Sequence, residues 1–238
     1  RYEQYENLFF APRFRIGNEE MKTDNSASAS LKKQEGSYFD SSFLYVFSYD
    51  KRNQSFRPTD GYLSRFTQSL PVVADGSPIM NGYEMNSYKE IMDDMVLSFS
   101  IYGRAITSLT DDDVRVSKRL YLPSYKLRGF EAGKVGPKDS TDYVGGNYST
   151  AVNAATTVPY IFQTIETMDL KMFFDAGNVW GVDYSDAVDD SNKIRSAVGV
   201  SIDWFTVIGP LNFSLAQPVT KANTDKTEKF RFQIGTTF

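Results

Sequence analysis

The sequence predicts an all-β protein, an antiparallel barrel that crosses a membrane with its strands, and three observations point there. The first is the chain's end. In KFRFQIGTTF, Phe230, Phe232, Ile234, Thr236 and Phe238 fall on one face of a strand and Arg231, Gln233, Gly235 and Thr237 on the other. Period-two alternation with aromatic groups on one side suits a wall between lipid and a polar interior. The closing edge of a soluble barrel would read the same from these ten residues.

The second observation is composition. Hydrophobic residues make up 41% of the chain and aromatic residues 15%, enough for a wall with aromatic girdles. The mean hydropathy is nevertheless -0.40, because polar residues are interleaved among the apolar ones. No stretch approaches the roughly eighteen consecutive apolar residues of a spanning helix. Only helical spanning is thereby excluded, since a barrel strand spends every second residue on lipid. A chain of 238 residues suits one all-β domain.

The third is the parity of the connections. Long stretches near 73 to 81, 111 to 146, 181 to 192 and 218 to 228 alternate with tight links at Asp93-Asp94 and Thr206 to Pro210. Consecutive antiparallel strands place alternate connections on opposite sides, and long loops outside with short turns in the periplasm is the outer-membrane arrangement. A soluble sandwich has no reason for this parity.

About eleven candidate strands follow in order. Alternation is weak near 7 to 16, 26 to 35 and 82 to 93. Phe39, Phe43, Tyr45, Phe47 and Tyr49 share a face; Leu97, Phe99 and Ile101 oppose Ser98, Ser100, Tyr102 and Arg104. Toward the end the pattern sharpens. Tyr148, Val152, Ala154 and Val158 alternate with Asn147, Ser149, Asn153 and Thr157, and Leu170, Met172 and Phe174 with Lys171, Phe173 and Asp175. Ile194, Val198, Val200, Ile202 and Trp204 form the next apolar face, then Leu211, Phe213 and Leu215.

The residues that are missing narrow the function. The chain has no Cys and no His. Thiolate catalysis, Ser-His-Asp hydrolysis and Cys or His metal sites are excluded, so no catalytic residue and no enzyme activity is expected. The net charge of -4 gives no basic footprint for nucleic acid. The acidic stretches Asp111-Asp112-Asp113 and Asp183 to Asp190 lack the spaced carboxylates and Gly of a calcium loop and read as solvated loop charge. No cofactor or metal is expected. The start at Arg1, without Met or a signal peptide, points to processing or truncation.

Residues 111–146 are too many for a passive hairpin connection. Their centre, Leu122-Pro123-Ser124-Tyr125-Lys126-Leu127-Arg128-Gly129-Phe130, mixes aromatic and aliphatic side chains with a Gly, as in a segment that packs against something. A plain surface loop with an incidental Arg-Gly pair stays open on the residues alone.

The run LRGFEAGKVGPKD at 127–139 resembles the sixth extracellular loop of the BamA family, the central subunit of the bacterial outer-membrane barrel assembly machine. FFDAGNVW at 173–180, IRSAVGVSIDWFTVIGPLNFSLAQP at 194–218 and FRFQIGTTF at 230–238 look like that family's last four strands, in the right order. YDKRNQSFRPTDGY at 49–62 is similar to one of its periplasmic turns. The resemblance covers most of the chain from about residue 37.

What this resemblance implies is a bacterial outer-membrane location and a sixteen-stranded barrel. About eleven C-terminal strands are visible, so residues 1–238 form a partial barrel domain whose N-terminal strands and periplasmic domains are absent. The long loop is expected to fold inward, with Arg128, Gly129 and Phe130 locked to Phe173 and Asp175 on the wall. Alternation agrees that Asp175 points into the lumen, where Arg can hold it bidentately and Lys cannot. The second carboxylate that some relatives supply from the preceding strand has no counterpart in NAATTVP at 153–159.

Phe230, Phe232, Ile234, Gly235 and Phe238 would form the seam and a terminal signal strand. The implied function is insertion of outer-membrane proteins by templating client strands at a lateral seam. Its partners would be unfolded client barrels, assembly-machine lipoproteins, and outer-membrane lipids with lipopolysaccharide. A passive outer-membrane pore or secretion channel, and a related translocation-assembly protein, are the alternatives.

Overall fold

The computed structural model describes residues 2–76, 78–110, 112–159, 161, 165, 167–183, 188–189, 192–207 and 209–235. Eleven strands form one antiparallel sheet: β1 (Tyr2–Tyr5), β2 (Leu8–Met21), β3 (Gly36–Asp50), β4 (Asp60–Ala74), β5 (Pro78–Met92), β6 (Met95–Ser108), β7 (Tyr148–Thr157), β8 (Met168–Trp180), β9 (Arg195–Thr206), β10 (Gly209–Thr220) and β11 (Phe230–Ile234). Their order in space is their order in sequence, a pure meander. Strands β2 to β6 run 14 or 15 residues and β7 to β10 run 10 to 13. A tilted crossing needs about 9 to 11. Among the described residues the sheet is not closed: β1 and β11 lie at its two ends and are not paired with each other.

Side-chain facing is the reverse of a water-soluble sheet. On β8, Met172 is 56% and Phe174 44% exposed, whereas Phe173 is 5% and Asp175 0% exposed. On β9, Val198 and Val200 are exposed, and Ala197, Ser201 and Asp203 are buried. Phe99, Ile101, Phe174, Val200 and Phe232 all lie exposed on the outer face, as a lipid-facing band requires.

Two sequence expectations are corrected. Residues 26–35 form no strand: Ala29–Lys32 is a short helix whose Ser28 hydroxyl accepts the Leu31 N–H. Alternating Ala and Ser offer no apolar face worth burying, while a Ser cap before Ala, Leu and Lys favours a helical turn. The eleventh strand is instead Tyr2–Tyr5. The connection near 73 to 81 is not long either. Strands β4 and β5 extend to Ala74 and from Pro78, leaving three residues, with Gly76 at φ +78° making the turn.

Connections 22–35, 75–77, 109–147, 181–194 and 221–229 lie at one end of the strands, and 6–7, 51–59, 93–94, 158–167 and 207–208 at the other. Much of the buried apolar core comes from the 109–147 loop. Leu122, Leu127, Phe130 and Val135 pack against Tyr102 of β6, Ala151 of β7, Val179 of β8 and Ala197 of β9. Further out, Lys138–Asp139 pairs with Asp142–Tyr143 and with Val188–Asp189 in a small separate sheet.

Candidate functional site

The inward loop reaches the wall through Arg128. Its Nε donates to Asp175 Oδ2 at 2.7 Å, its Nη2 to Oδ1 at 2.8 Å, and its backbone N–H to Oδ2 at 3.1 Å. The guanidinium carbon sits 3.3 Å from the centre of the Phe173 ring. A planar guanidinium satisfies the carboxylate fork and the aromatic face together, which an ammonium cannot. The Asp175 side chain is 0% exposed and that of Arg128 14%.

Beside them, Gly129 adopts φ +90°, and a Cβ there would stand 3.1 Å from Ala197 and 3.3 Å from Ala216. The close approach and the left-handed backbone both call for Gly. Phe130 is 1% exposed, and burying such a ring contributes about 1.5–3 kcal/mol. Arg128, Gly129, Phe130, Phe173 and Asp175 thus stand in one cluster.

Several partners in this cluster were not identified from sequence. Asn153 on β7 stands directly opposite Asp175 on β8, and its Nδ2 donates to Asp175 Oδ1 and to the Lys126 carbonyl, each at 2.8 Å. An amide therefore occupies the place for which a second carboxylate was sought. Lys126 extends the other way, its Nζ 2.7 Å from Glu84 of β5 and 2.8 Å from Ser100 of β6. Period-two alternation marks Asn153 and Ser100 as inward; nothing in the sequence says which loop atoms they meet.

The terminal strand completes the site. Phe230, Phe232 and Ile234 face outward and are 54%, 46% and 69% exposed. Gly235, at φ +113°, donates its N–H to the Pro210 carbonyl at 2.8 Å. Phe238 lies outside the described residues. The inward residues of β11 meet the loop: Arg231 donates to the Ser124 and Phe130 carbonyls, and Gln233 Nε2 to Ser124 Oγ at 2.9 Å.

Beneath the loop lies a cavity of about 890 Å³, roofed by Tyr125, Lys126 and Arg128 and floored by Phe56, Arg57 and Pro58 of the 51–59 turn. Arg57 crosses to Asp169 at the start of β8, Nε to Oδ2 at 3.1 Å and Nη2 to Oδ1 at 2.5 Å. Phe56 meets Phe205 of β9 edge to face with centroids 4.9 Å apart.

Fold and site together define a membrane-spanning β-barrel sheet whose lumen is filled from one end by an Arg-Gly-Phe loop. The model of the Omp85 superfamily domain matches residues 2–238, and the chain belongs to that superfamily. It is 26% identical over 220 residues to outer membrane protein assembly factor BamA of Neorickettsia risticii, covering 90% of this chain and 30% of that protein. The BamA of Neisseria meningitidis serogroup B is 32% identical over 139 residues, 47% of this chain and 17% of that one. The human sorting and assembly machinery component 50 homolog is 27% identical over 175 residues, covering 68% and 36%.

In fold, the chain matches the crystal structure of BamA from Haemophilus ducreyi lacking POTRA domains 1-3. The TM-score is 0.85 at 19% identity, over 96% of this chain and 51% of that chain. The chain thus spans about half of that solved chain and 30% or less of the two BamA relatives. These matches place it among the outer-membrane β-barrels of the Omp85 superfamily.

Proposed function

We propose that this chain is barrel wall of an outer-membrane protein insertase, a remodelling protein that performs no covalent chemistry. The observation that carries the reading is the Arg128–Asp175 clamp, which holds a loop inside the lumen beside a terminal strand that pairs with β10 over only five register positions among the described residues. In hydrocarbon, unpaired backbone N–H and C=O groups each cost several kcal/mol. When a short terminal strand parts from its neighbour, a client strand that adds to the exposed edge satisfies these groups, so in this reading the seam templates the client by β-augmentation. The clamp and Phe130 form a loop-to-wall lock, and Phe230, Phe232, Ile234, Gly235 and Phe238 belong to the seam strand.

Residues 1–238 are one part of a sixteen-stranded barrel in this reading, with further strands and periplasmic domains on the N-terminal side. Unfolded client barrels and assembly-machine lipoproteins are its protein partners. The exposed aromatic band meets lipid and lipopolysaccharide. Partner identity separates this reading from a translocation-assembly relative. The passive-pore reading is less well supported, because the cavity carries both a loop roof and a turn floor.

Reconstitution of the full-length protein in lipid vesicles with a urea-unfolded client barrel tests the proposal. Faster client folding that Arg128→Ala and Asp175→Asn both diminish supports it. Unchanged client folding combined with steady single-channel conductance would establish the pore instead.

A further inference from the structure

Strand β11 is poorly held by the sheet. Among the described residues it pairs with β10 over five positions, Leu215↔Phe230 through Leu211↔Ile234, flanked by the Ala216 N–H to Lys229 O and Gly235 N–H to Pro210 O bonds, each 2.8 Å. On the lipid side Phe232 meets Phe213, with ring centroids 5.0 Å apart. This backbone pairing and a half-exposed apolar face are a modest anchorage, to which the inward side chains add.

Its inward side chains are committed to the loop. Arg231 donates to the carbonyls of Ser124 and Phe130 and is oriented by Glu228, with its Nε 2.8 Å from Oε2. Gln233 reaches Ser124 Oγ. The residues just before β11 continue the attachment through the backbone: Glu131 N–H to Lys226 O at 3.0 Å, Glu228 N–H to Gly129 O at 3.0 Å, and Lys226 N–H to Lys134 O at 3.2 Å. Loop residues 124 to 134 therefore line the lumen side of the last hairpin from end to end. The loop residue between Gly129 and Glu131 is Phe130, two positions after the Arg128 clamp.

We infer that Arg231 is a positioning residue that couples the inward loop to the seam. With Arg128 seated on Asp175, the Ser124 and Phe130 carbonyls stand where the Arg231 guanidinium can hold β11 against β10. When the loop leaves the wall, those carbonyls leave with it, and β11 keeps only its backbone bonds to β10. Loop position thereby sets how readily the terminal edge peels or exchanges partners. The meaning of this for client insertion rests on the insertase reading; the coupling itself does not.

Hydrogen exchange measured by mass spectrometry on the full-length protein in lipid nanodiscs tests it. Arg231→Ala should speed exchange of the 230–234 amides by about 10-fold or more while β9 stays as it was, and Gln233→Met, which removes one hydrogen bond, by about 3-fold. Arg128→Ala, which alters no residue touching β11, should speed the same amides. The Arg128→Ala/Arg231→Ala pair should fall short of the product of the two single effects, since both act in part through the Arg231 tether. Unchanged β11 exchange in Arg231→Ala and Gln233→Met would overturn the inference. So would equal acceleration across β8 to β10, which marks a general fold residue, or additive effects in the double variant. Client folding by the same preparations is read separately, so a protein that inserts nothing still reports the coupling, and an uncoupled one still reports insertion.

Discussion

Asn153 and Asp175 are register partners across β7 and β8, and the Asn153 amide nitrogen lies 2.8 Å from a carboxylate oxygen that is fully buried. That amide donates also to the Lys126 carbonyl, so one side chain ties the wall to the clamp and to the loop backbone. Asn153→Asp should destabilise the barrel. The change removes both donors and sets an anion against an anion and a carbonyl oxygen. The expected loss is about 1–3 kcal/mol, with Asn153→Ala costing less because no like charge is introduced. Denaturant unfolding of the intact protein in detergent checks the order of the two variants.

Removing Arg128 leaves Asp175 buried with only the Asn153 amide and one backbone N–H. Breaking a desolvated pair this way costs about 3–5 kcal/mol, and the two remaining donors put Arg128→Ala at the lower end. Arg128→Lys keeps the charge but loses the fork and the stacking on Phe173, for about 1–2 kcal/mol. The same unfolding measurement should rank wild type above Lys and Lys above Ala. Equal stability of the Lys and wild-type proteins would show that charge alone holds the loop.

How much of this was legible in the sequence depends on whether lipid imposed it. Strands β6 and β8 to β10 show their facing in the letters because every second residue must be apolar, as in Leu97-Phe99-Ile101 and Met172-Phe174. The 26–35 segment misled because Ala and Ser alternate without an apolar face. Inward residues obey no such period in their partners. Arg231 meets residues 107 and 101 positions away, and Arg57 one 112 away, distances over which alternation carries no information. Even the Arg128–Asp175 pair came from a resemblance, with alternation supplying only the direction of Asp175.

The outward band makes a graded prediction along β9. The strand runs Arg195–Thr206, so its midpoint falls at Val200 and Ser201. Val200 is 41% exposed on the lipid face, whereas Ser201 is 2% exposed inside. Val200→Lys should cost about 2–4 kcal/mol and Ile202→Lys somewhat less, being farther from the centre. Ser201, nearly buried but bordering the lumen cavity, should tolerate a small polar replacement such as Thr. Stability of the three single variants in one detergent tests the facing; a Ser201→Thr variant as damaged as Val200→Lys would contradict it.

The turn at 51–59 is stiffened before it crosses the lumen. Asp50 takes a bidentate contact from Arg52, at 2.9 Å for each nitrogen, and Asn53 Oδ1 accepts the N–H groups of Thr59 and Asp60. Arg57 itself sits at φ +49° before a Pro, a conformation that non-glycine residues adopt at some cost. Its side chain is 39% exposed, so the pair with Asp169 contributes only about 0.5–1 kcal/mol to stability. Its larger effect should be on the cavity floor. Arg57→Ala should raise ion conductance across planar bilayers with little change in unfolding midpoint, and unchanged conductance would leave the turn no role in closing the lumen.

At the loop end, Asp183 accepts the Val114 N–H at 2.9 Å, the Asn147 amide at 3.1 Å and the Arg119 guanidinium. Burial alone would raise its carboxyl, but these donors outweigh it and hold the group below the ordinary aspartate value. A depressed carboxyl contributes stability that is complete above the unfolded value, near 4, and lost as pH falls through the lower folded one. Asp113 is shifted the other way, by burial first and by the Asp183 charge second, so its protonation on acidification relieves repulsion. The loop end should therefore hold or tighten as Asp113 protonates and loosen only at lower pH, when Asp183 follows. Protease accessibility of the 109–147 loop, measured with an acid-active protease between pH 5 and 2, should rise at the low end in the wild type. In Asp183→Asn the rise should be absent because the donors are already mismatched at pH 5, and a wild-type profile in that variant would assign the acid response elsewhere.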